Sequence, residues 1–486
     1  MKRSKIFFIS AEIYPFVKST RAGEFAGSLP SYLQAEGHEV RVMMPKYSLI
    51  NERKYIIRDI IRLKDIPVTM PGGTIHVSVK SGFLPESKTQ IYFADYDKFF
   101  KRADLYRDKR TGQFFKDNDL RFIGLARTAI ATLRQLGWQP DIIHCCDWPT
   151  GALPALIRQE QAKDNFFKKT IVVFSVNMMD EAGLHDKAAF NLAMLSEKAV
   201  DKEKTMHKNK FSFLKAGVSF SDAVTVPYLY KHLKSIPKPK NDFEQILSSV
   251  KAIVDLPIGG DYNLWNPASN NSLHKPYSVE KYERRKVNRE KFMEDRRTGF
   301  APDRPVIGVL ADDLHVQQKD VLQFLKALKS VPLQLFVLSD VNTVSIGALK
   351  NALGKNSNHI VYALHDPEDQ MRHYFYTMCD ALFIPSGSDL AEVSYLNGLH
   401  YGVLPIIHKS CSVADLFTPV KGSKGTAFLY DQEKDLVKRI DEINALFAQA
   451  EIWQELALNA MKTDLSWARF TSPLIKVYER AFSKLK

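Results

Sequence analysis

Short apolar runs rich in β-branched residues recur along the chain, separated by stretches of helical length. In the first half they are KIFFIS, VRVMMP, QIYFA, DIIHC, TIVVFSV and AVTVP; in the second, VIGVLA, LQLFVLS, HIVYA, ALFIP and VLPII. Near-continuous apolar runs suit strands buried on both faces, and their alternation with helices predicts βαβ units and mainly parallel sheets. The alternation breaks once. Between Val226 and Val306 lies a polar stretch carrying Pro237, Pro239, Pro257, Pro267, Pro302 and the Gly259-Gly260 pair. Breakers at that density predict a domain boundary at roughly 255 to 300. The expected fold is therefore α/β, two doubly wound domains facing each other across a deep cleft that holds ligand at the strand ends.

Composition narrows the class. At 486 residues the chain is long enough for two cores, and 45% hydrophobic with 25% charged residues is ordinary for a globular protein. The start, MKRSKIFFISAEIYPF, has basic residues but an apolar run that stops at Glu12, too short for a signal peptide. With no apolar run near the ~20 residues of a membrane span, a cytoplasmic protein with no membrane partner is expected. Cys145, Cys146, Cys379 and Cys411 make no C-x-x-C pair and no metal-ligand spacing, so reduced, inert thiols are expected. The formal charge of +13 suits an anionic ligand. It is spread along the chain with only short clusters such as KYERRKVNREK near Tyr282, which reads as a solvated helix face, so no nucleic-acid partner is expected.

Candidate chemistry sits at the strand ends. KSTRAGEFAGSLP, Lys18 to Pro30, reads as the link from the first strand to a helix in SYLQAEGHEV that ends at Gly37. A link of that kind opening with Lys, Ser and Thr is where α/β proteins hold phosphate. CDWPTG puts Asp147 and Trp148 at the mouth of the cleft; NMMDEAGLH brings Asn177, Asp180 and Glu181; SGSDLAEVSYLNGLHYG opens a helix near Ala391; and HKS leads to Ser410, Cys411 and Ser412.

Taken together, these segments resemble the bacterial glycogen synthases and plant starch synthases. That family opens with a strand and S-E-x-x-P-F-x-K-T-G-G-L-A-D-V-x-G-x-L-P, against SAEIYPFVKSTRAGEFAGSLP here. GHEVRVMMPKY, DIIHCCDWPTGALPALI, FSFLKAGVSFSDAVTV, GGDYNLWNPAS and CDALFIPSGSDLAEVSYLNGLHYGVLPII extend the match nearly end to end. The resemblance implies the GT-B arrangement of two Rossmann-like domains: residues 1–257 on the acceptor side, 258–465 binding the nucleotide sugar, and a last helix, 466–486, packing back on the first domain. It implies retaining transfer of glucose from ADP-glucose to the non-reducing end of glycogen or another α-1,4-glucan, with ADP-glucose as a substrate and no cofactor or metal.

Carried over position by position, the resemblance puts Lys18 and Lys319 on the donor phosphates, with the helix turn bearing Ser394. Asp147, Asn177 and Asp389 fall at the catalytic positions, the last two standing where the family has His and Glu. Other positions depart further. Thr20-Arg21 replaces Gly-Gly, Met178 replaces Asn, Asp312 and Asp313 occupy the stretch that carries a phosphate-binding Arg, Leu390-Ala391-Glu392 replaces P-C-G, and Ser410-Cys411-Ser412 replaces T-G-G. Arg21 is expected either to clamp the diphosphate in place of the missing arginine or to be a surface residue. Asp147 reads equally as a helix N-cap, Asp389 with Glu392 as a capping box, and Lys319 as a solvated helix lysine. Met178-Met179 is expected in the core. Three functions follow: a glycogen synthase, a catalytically silent relative that binds glucan or nucleotide sugar or regulates the pathway, or a related retaining glycosyltransferase with a changed donor or acceptor.

Overall fold

The computed structural model describes residues 3–17, 19–102, 104–108, 110–178, 181–227, 238–250, 252–310, 325–326, 328, 331–339, 351, 359–366, 371–383, 391–411 and 413–484. The chain divides into two compact units, Met1–Ile258 together with Phe470–Lys486, and Gly259–Arg469.

In the first unit the apolar runs become β1 (Lys5–Ile9), β2 (Glu39–Pro45), β6 (Gln90–Asp95), β7 (Ile142–Cys146), β8 (Ile171–Ser175) and β12 (Ala223–Pro227). They join β13 (Ile253–Leu256) in a parallel arrangement ordered β13-β12-β8-β7-β1-β2-β6. Antiparallel β3 (Arg58–Asp59), β4 (Ile66–Met70) and β5 (Gly73–Phe83) extend it beyond β6. The alternating burial along β4 is the mark of a strand with one wet face. A small antiparallel sheet forms from β9 (Leu184–His185), β10 (Met206–His207) and β11 (Lys210–Ser212). Chain order reverses between β1 and β7, and ligands of open α/β sheets bind beyond the strand ends at such a reversal.

The stretch after β1 differs from its sequence reading. Helix begins at Arg21 and runs to Ala35, so most of KSTRAGEFAGSLP is helical rather than a link. Thr20 is the N-cap, its hydroxyl accepting from the Ala22 N–H, and this local signal outweighs Pro30 in the helix interior. Gly27 lets the helix lie against the preceding turn: a Cβ there would come within 2.4 Å of the Tyr14 carbonyl oxygen.

A buried polar chain ties the last helix, Trp467–Ser483, into this sheet. His144 on β7 bonds the Tyr478 hydroxyl at 2.7 Å through Nδ1 and Ser175 Oγ at 2.6 Å through Nε2, and Ser175 bonds Thr225. Burial pushes His144 down to about 3, so the ring is neutral and donates from one nitrogen while accepting at the other.

In the second unit β14 (Val306–Leu310), β15 (Gln334–Ser339), β16 (Ile360–His365), β17 (Ala381–Phe383), β18 (Leu404–His408) and β19 (Phe428–Tyr430) pair in parallel, ordered β16-β15-β14-β17-β18-β19. This is the doubly wound order, reversing between β14 and β17. The basic cluster near Tyr282 forms the helix Arg284–Arg296, and it is only partly solvated. Arg285 and Arg289 both turn inward onto the buried carboxylate of Asp380, whose second oxygen accepts from the Val306 N–H at 2.9 Å. The helix is thereby pinned to the amino ends of β14 and β17. Among the described residues no helix is long and apolar enough to cross a membrane.

Candidate active site

Three adjacent strand ends of the first unit, those of β1, β7 and β8, bring Glu12, Asp147 and Asn177 to the chain reversal. Glu12 had drawn notice only as the residue ending an apolar run. It is buried, and its carboxylate accepts from the Ser19 N–H at 2.5 Å, the Thr20 N–H at 2.9 Å, the Thr20 hydroxyl at 2.6 Å and the Tyr106 hydroxyl at 3.0 Å. Burial raises its pKa from the ordinary value, while the four donors pull it back. An internal carboxylate thus occupies the amides at the head of the Arg21–Ala35 helix, the place read as a phosphate cradle. The segment S-A-E, matching the family's S-E, was the signal available for it.

Asp147 follows β7 directly and is 1% exposed. Its backbone has φ +61 and ψ 174, a region nearly reserved for glycine that costs a side-chain-bearing residue ~1–3 kcal/mol. Its side chain does not cap the turn beginning at Trp148. One carboxylate oxygen accepts the N–H groups of Asn177 and Met178, at 2.5 and 2.7 Å; the other accepts the Asn177 amide Nδ2 at 3.1 Å. Burial pushes the group up to about 6 against these donors. The N-cap expectation therefore fails because the carboxylate is spent on the next strand's loop. Asp147 thereby holds the start of that loop.

Asn177, 1% exposed, has an amide Oδ1 that is shielded from solvent and accepts no hydrogen bond. Its main-chain carbonyl accepts from the Arg21 guanidinium at 2.8 Å. Arg21 is itself only 2% exposed, so the surface reading is corrected: a first-turn arginine of a buried helix face points into the protein. A clamp on a diphosphate would have to use guanidinium N–H groups other than the one given to the Asn177 carbonyl.

Trp148, expected at the mouth of the site, is instead a core residue. Tyr106 and Phe122 pack against it at ring distances of 5.7 and 5.2 Å, and Gly183, at φ +55, leaves room for its indole. Met178 is buried as expected, and Glu181 pairs with Arg107 at 2.5 Å. Cys145, Cys146 and Cys379 are buried free thiols whose pKa values burial raises, which keeps them inert.

In the second unit Ser394 is buried on the helix Ala391–His400, which follows β17 at the other chain reversal. That helix is held by the Asp261 N–H on Asn397 Oδ1 at 3.0 Å, by the Tyr262 hydroxyl on the Leu396 carbonyl at 3.2 Å, and by Tyr262 stacked on His400 at 4.1 Å. Lys18, Lys319 and Asp389 lie outside the described residues, as do Asp180, Asp312, Asp313, Leu390 and Ser412. The structure thus gathers Arg21, Asp147 and Asn177 into one hydrogen-bonded group and places Ser394 in the other unit.

The family described as the starch synthase catalytic domain matches residues 5–231. Glycogen synthases of Chlorobaculum parvum and Chlorobaculum tepidum are each 30% identical, over 480 and 485 residues, with 98% of this chain and 98% of each relative covered. Among solved structures, the catalytic domain of starch synthase IV from Arabidopsis thaliana, bound to ADP and acarbose, is similar with a TM-score of 0.83. Its identity is 18%, over 99% of this chain and 100% of that one. Sucrose-phosphate synthase from Thermosynechococcus elongatus is similar with a TM-score of 0.57 at 13% identity, over 99% and 100%.

Proposed function

The chain belongs to the glycogen synthase family of GT-B glucosyltransferases, and from that premise we propose that it extends an α-1,4-glucan with glucose from ADP-glucose, retaining the anomeric configuration. The observation that carries this reading is the coincidence of site and topology. Arg21, Asp147 and Asn177 meet at the β1/β7 reversal, and Ser394 lies on the helix after the strand at the β14/β17 reversal.

Transfer of glucose from a nucleoside diphosphate builds negative charge on the departing phosphate and positive charge at the anomeric carbon. Lys18, Lys319 and the turn bearing Ser394 are assigned to the first, as cations and backbone N–H groups near the diphosphate. Asn177 is assigned to the sugar. Its amide does not titrate, so it serves by hydrogen bonding to a hydroxyl rather than by moving a proton. Asp389 supplies the second oxygen-bearing group near the ring. The donor arrives already activated, so no redox or group-carrying cofactor enters the scheme.

The test is incorporation of labelled glucose into glycogen by the purified protein, from ADP-glucose and, in parallel, from UDP-glucose. Incorporation from ADP-glucose that falls ~10²-fold in Lys18→Ala, the scale of losing one donor to developing charge, is the expected result. Failure with both donors, by a folded protein that still binds glycogen, would overturn the synthase reading in favour of a glucan-binding relative.

A further inference from the structure

The carbonyl of Asn177 and the N–H of Met178 belong to one peptide plane. Asp147 holds the N–H at 2.7 Å and Arg21 holds the carbonyl at 2.8 Å. A carboxylate on the donor end and a guanidinium on the acceptor end are charge-assisted bonds of matching sense, made by two residues that are 1% and 2% exposed. Rotation of this peptide would have to break both. The Asn177 side chain is fixed by the same device, since its Nδ2 donates to the second oxygen of Asp147.

Asn177 Oδ1 is buried and accepts from nothing, although buried polar atoms in folded proteins nearly always have partners. We propose that Arg21 is a positioning residue which, with Asp147, clamps the Asn177–Met178 peptide so that Asn177 Oδ1 is presented as the acceptor for a hydroxyl of the transferred sugar. This rests on the synthase reading for the identity of the ligand, while the clamp itself does not. It also gives Arg21 a role at the peptide that does not depend on the diphosphate. The departures from the family pattern at positions 21 and 177 then form one unit, an arginine at the helix start supporting the asparagine across from it.

Arg21→Met keeps the buried aliphatic volume and removes the donor; Arg21→Lys keeps one donor. The Met178 amide, read by hydrogen exchange, is expected to exchange about 10-fold faster or more in Arg21→Met and near the wild-type rate in Arg21→Lys. With turnover, kcat is expected to fall roughly 10- to 100-fold in Arg21→Met, with KM for ADP-glucose and the affinity for ADP within about twofold, and Arg21→Lys is expected to recover most of the loss. Unchanged Met178 exchange in Arg21→Met would overturn the clamp. So would an ADP affinity lowered about 10-fold with kcat retained, because the guanidinium would then be serving phosphate. A wild-type protein without turnover counts against the synthase reading, and the exchange comparison still decides the clamp.

Discussion

Replacing Asp147 by asparagine separates the charge of this residue from its shape. Burial pushes the carboxyl up to about 6, even though the N–H groups of Met178 and Asn177 and the Asn177 amide all favour the carboxylate. A carboxyl raised from an ordinary 3.8 favours the fold most when protonated. Its contribution is fully present below about pH 4 and is lost as pH rises through 6. A shift of about two units at 1.36 kcal/mol each amounts to about 3 kcal/mol. An asparagine side chain does not ionise and so escapes that cost. Its Oδ1 can accept the same two backbone N–H groups, and the Asn177 amide, turned over, would offer its unpartnered Oδ1 to the new Nδ2. The Tm of Asp147→Asn minus that of the wild type should therefore rise between pH 4 and 7 and be flat above. At roughly 2 °C per kcal/mol for a unit of this size, the rise is on the order of 5 °C. Scanning calorimetry on both proteins across that range reads it, and subtraction cancels groups common to both, Glu12 included. A difference that is constant from pH 4 to 7, or that falls, would refute the reasoning that desolvation governs this carboxyl.

Other consequences follow from the same accounting of buried polar groups. Glu12→Ala leaves the amides of Ser19 and Thr20 without their acceptor, and should destabilise the first unit by about 2–4 kcal/mol; an unchanged Tm would mean water takes over the capping. Asp380→Ala leaves Arg285 and Arg289 facing each other in a buried site. The second unit should lose about 3–5 kcal/mol and melt in a separate, earlier transition, whereas a single unshifted transition would contradict the role given to that carboxylate.

The parallel sheets were legible because a strand buried on both faces must be apolar throughout, and each such run, from KIFFIS to VLPII, became a strand. The antiparallel extension was not. In β4 and β5 polar residues alternate with apolar ones, so no continuous run announces them. The start of the first long helix was hidden by Gly23, Gly27 and Pro30, whose local preferences are overridden by the Thr20 cap and by packing on the Tyr14 turn. Asp147 and Asn177 were legible as strand-end residues and took their roles from resemblance, but their mutual bonding depends on the neighbour relation of β7 and β8, which no local pattern encodes. Glu12 looked like the end of a strand, and only three-dimensional contact shows it as the anion that caps the next helix.

The first unit is written in two pieces of sequence, Met1–Ile258 and Phe470–Lys486, with the whole second unit between them. The closing piece supplies Tyr478 to His144, at the centre of the sheet. During synthesis, domains generally fold as they emerge, at about 5–20 residues per second. Here the first unit must wait with an unfilled seam while some two hundred further residues are made, a delay on the order of 10–40 s at those rates. For that interval the nascent chain lacks Leu474, Val477, Tyr478 and Ala481, which are buried on the final helix, and exposed apolar surface in an incomplete domain is what makes such species prone to aggregation.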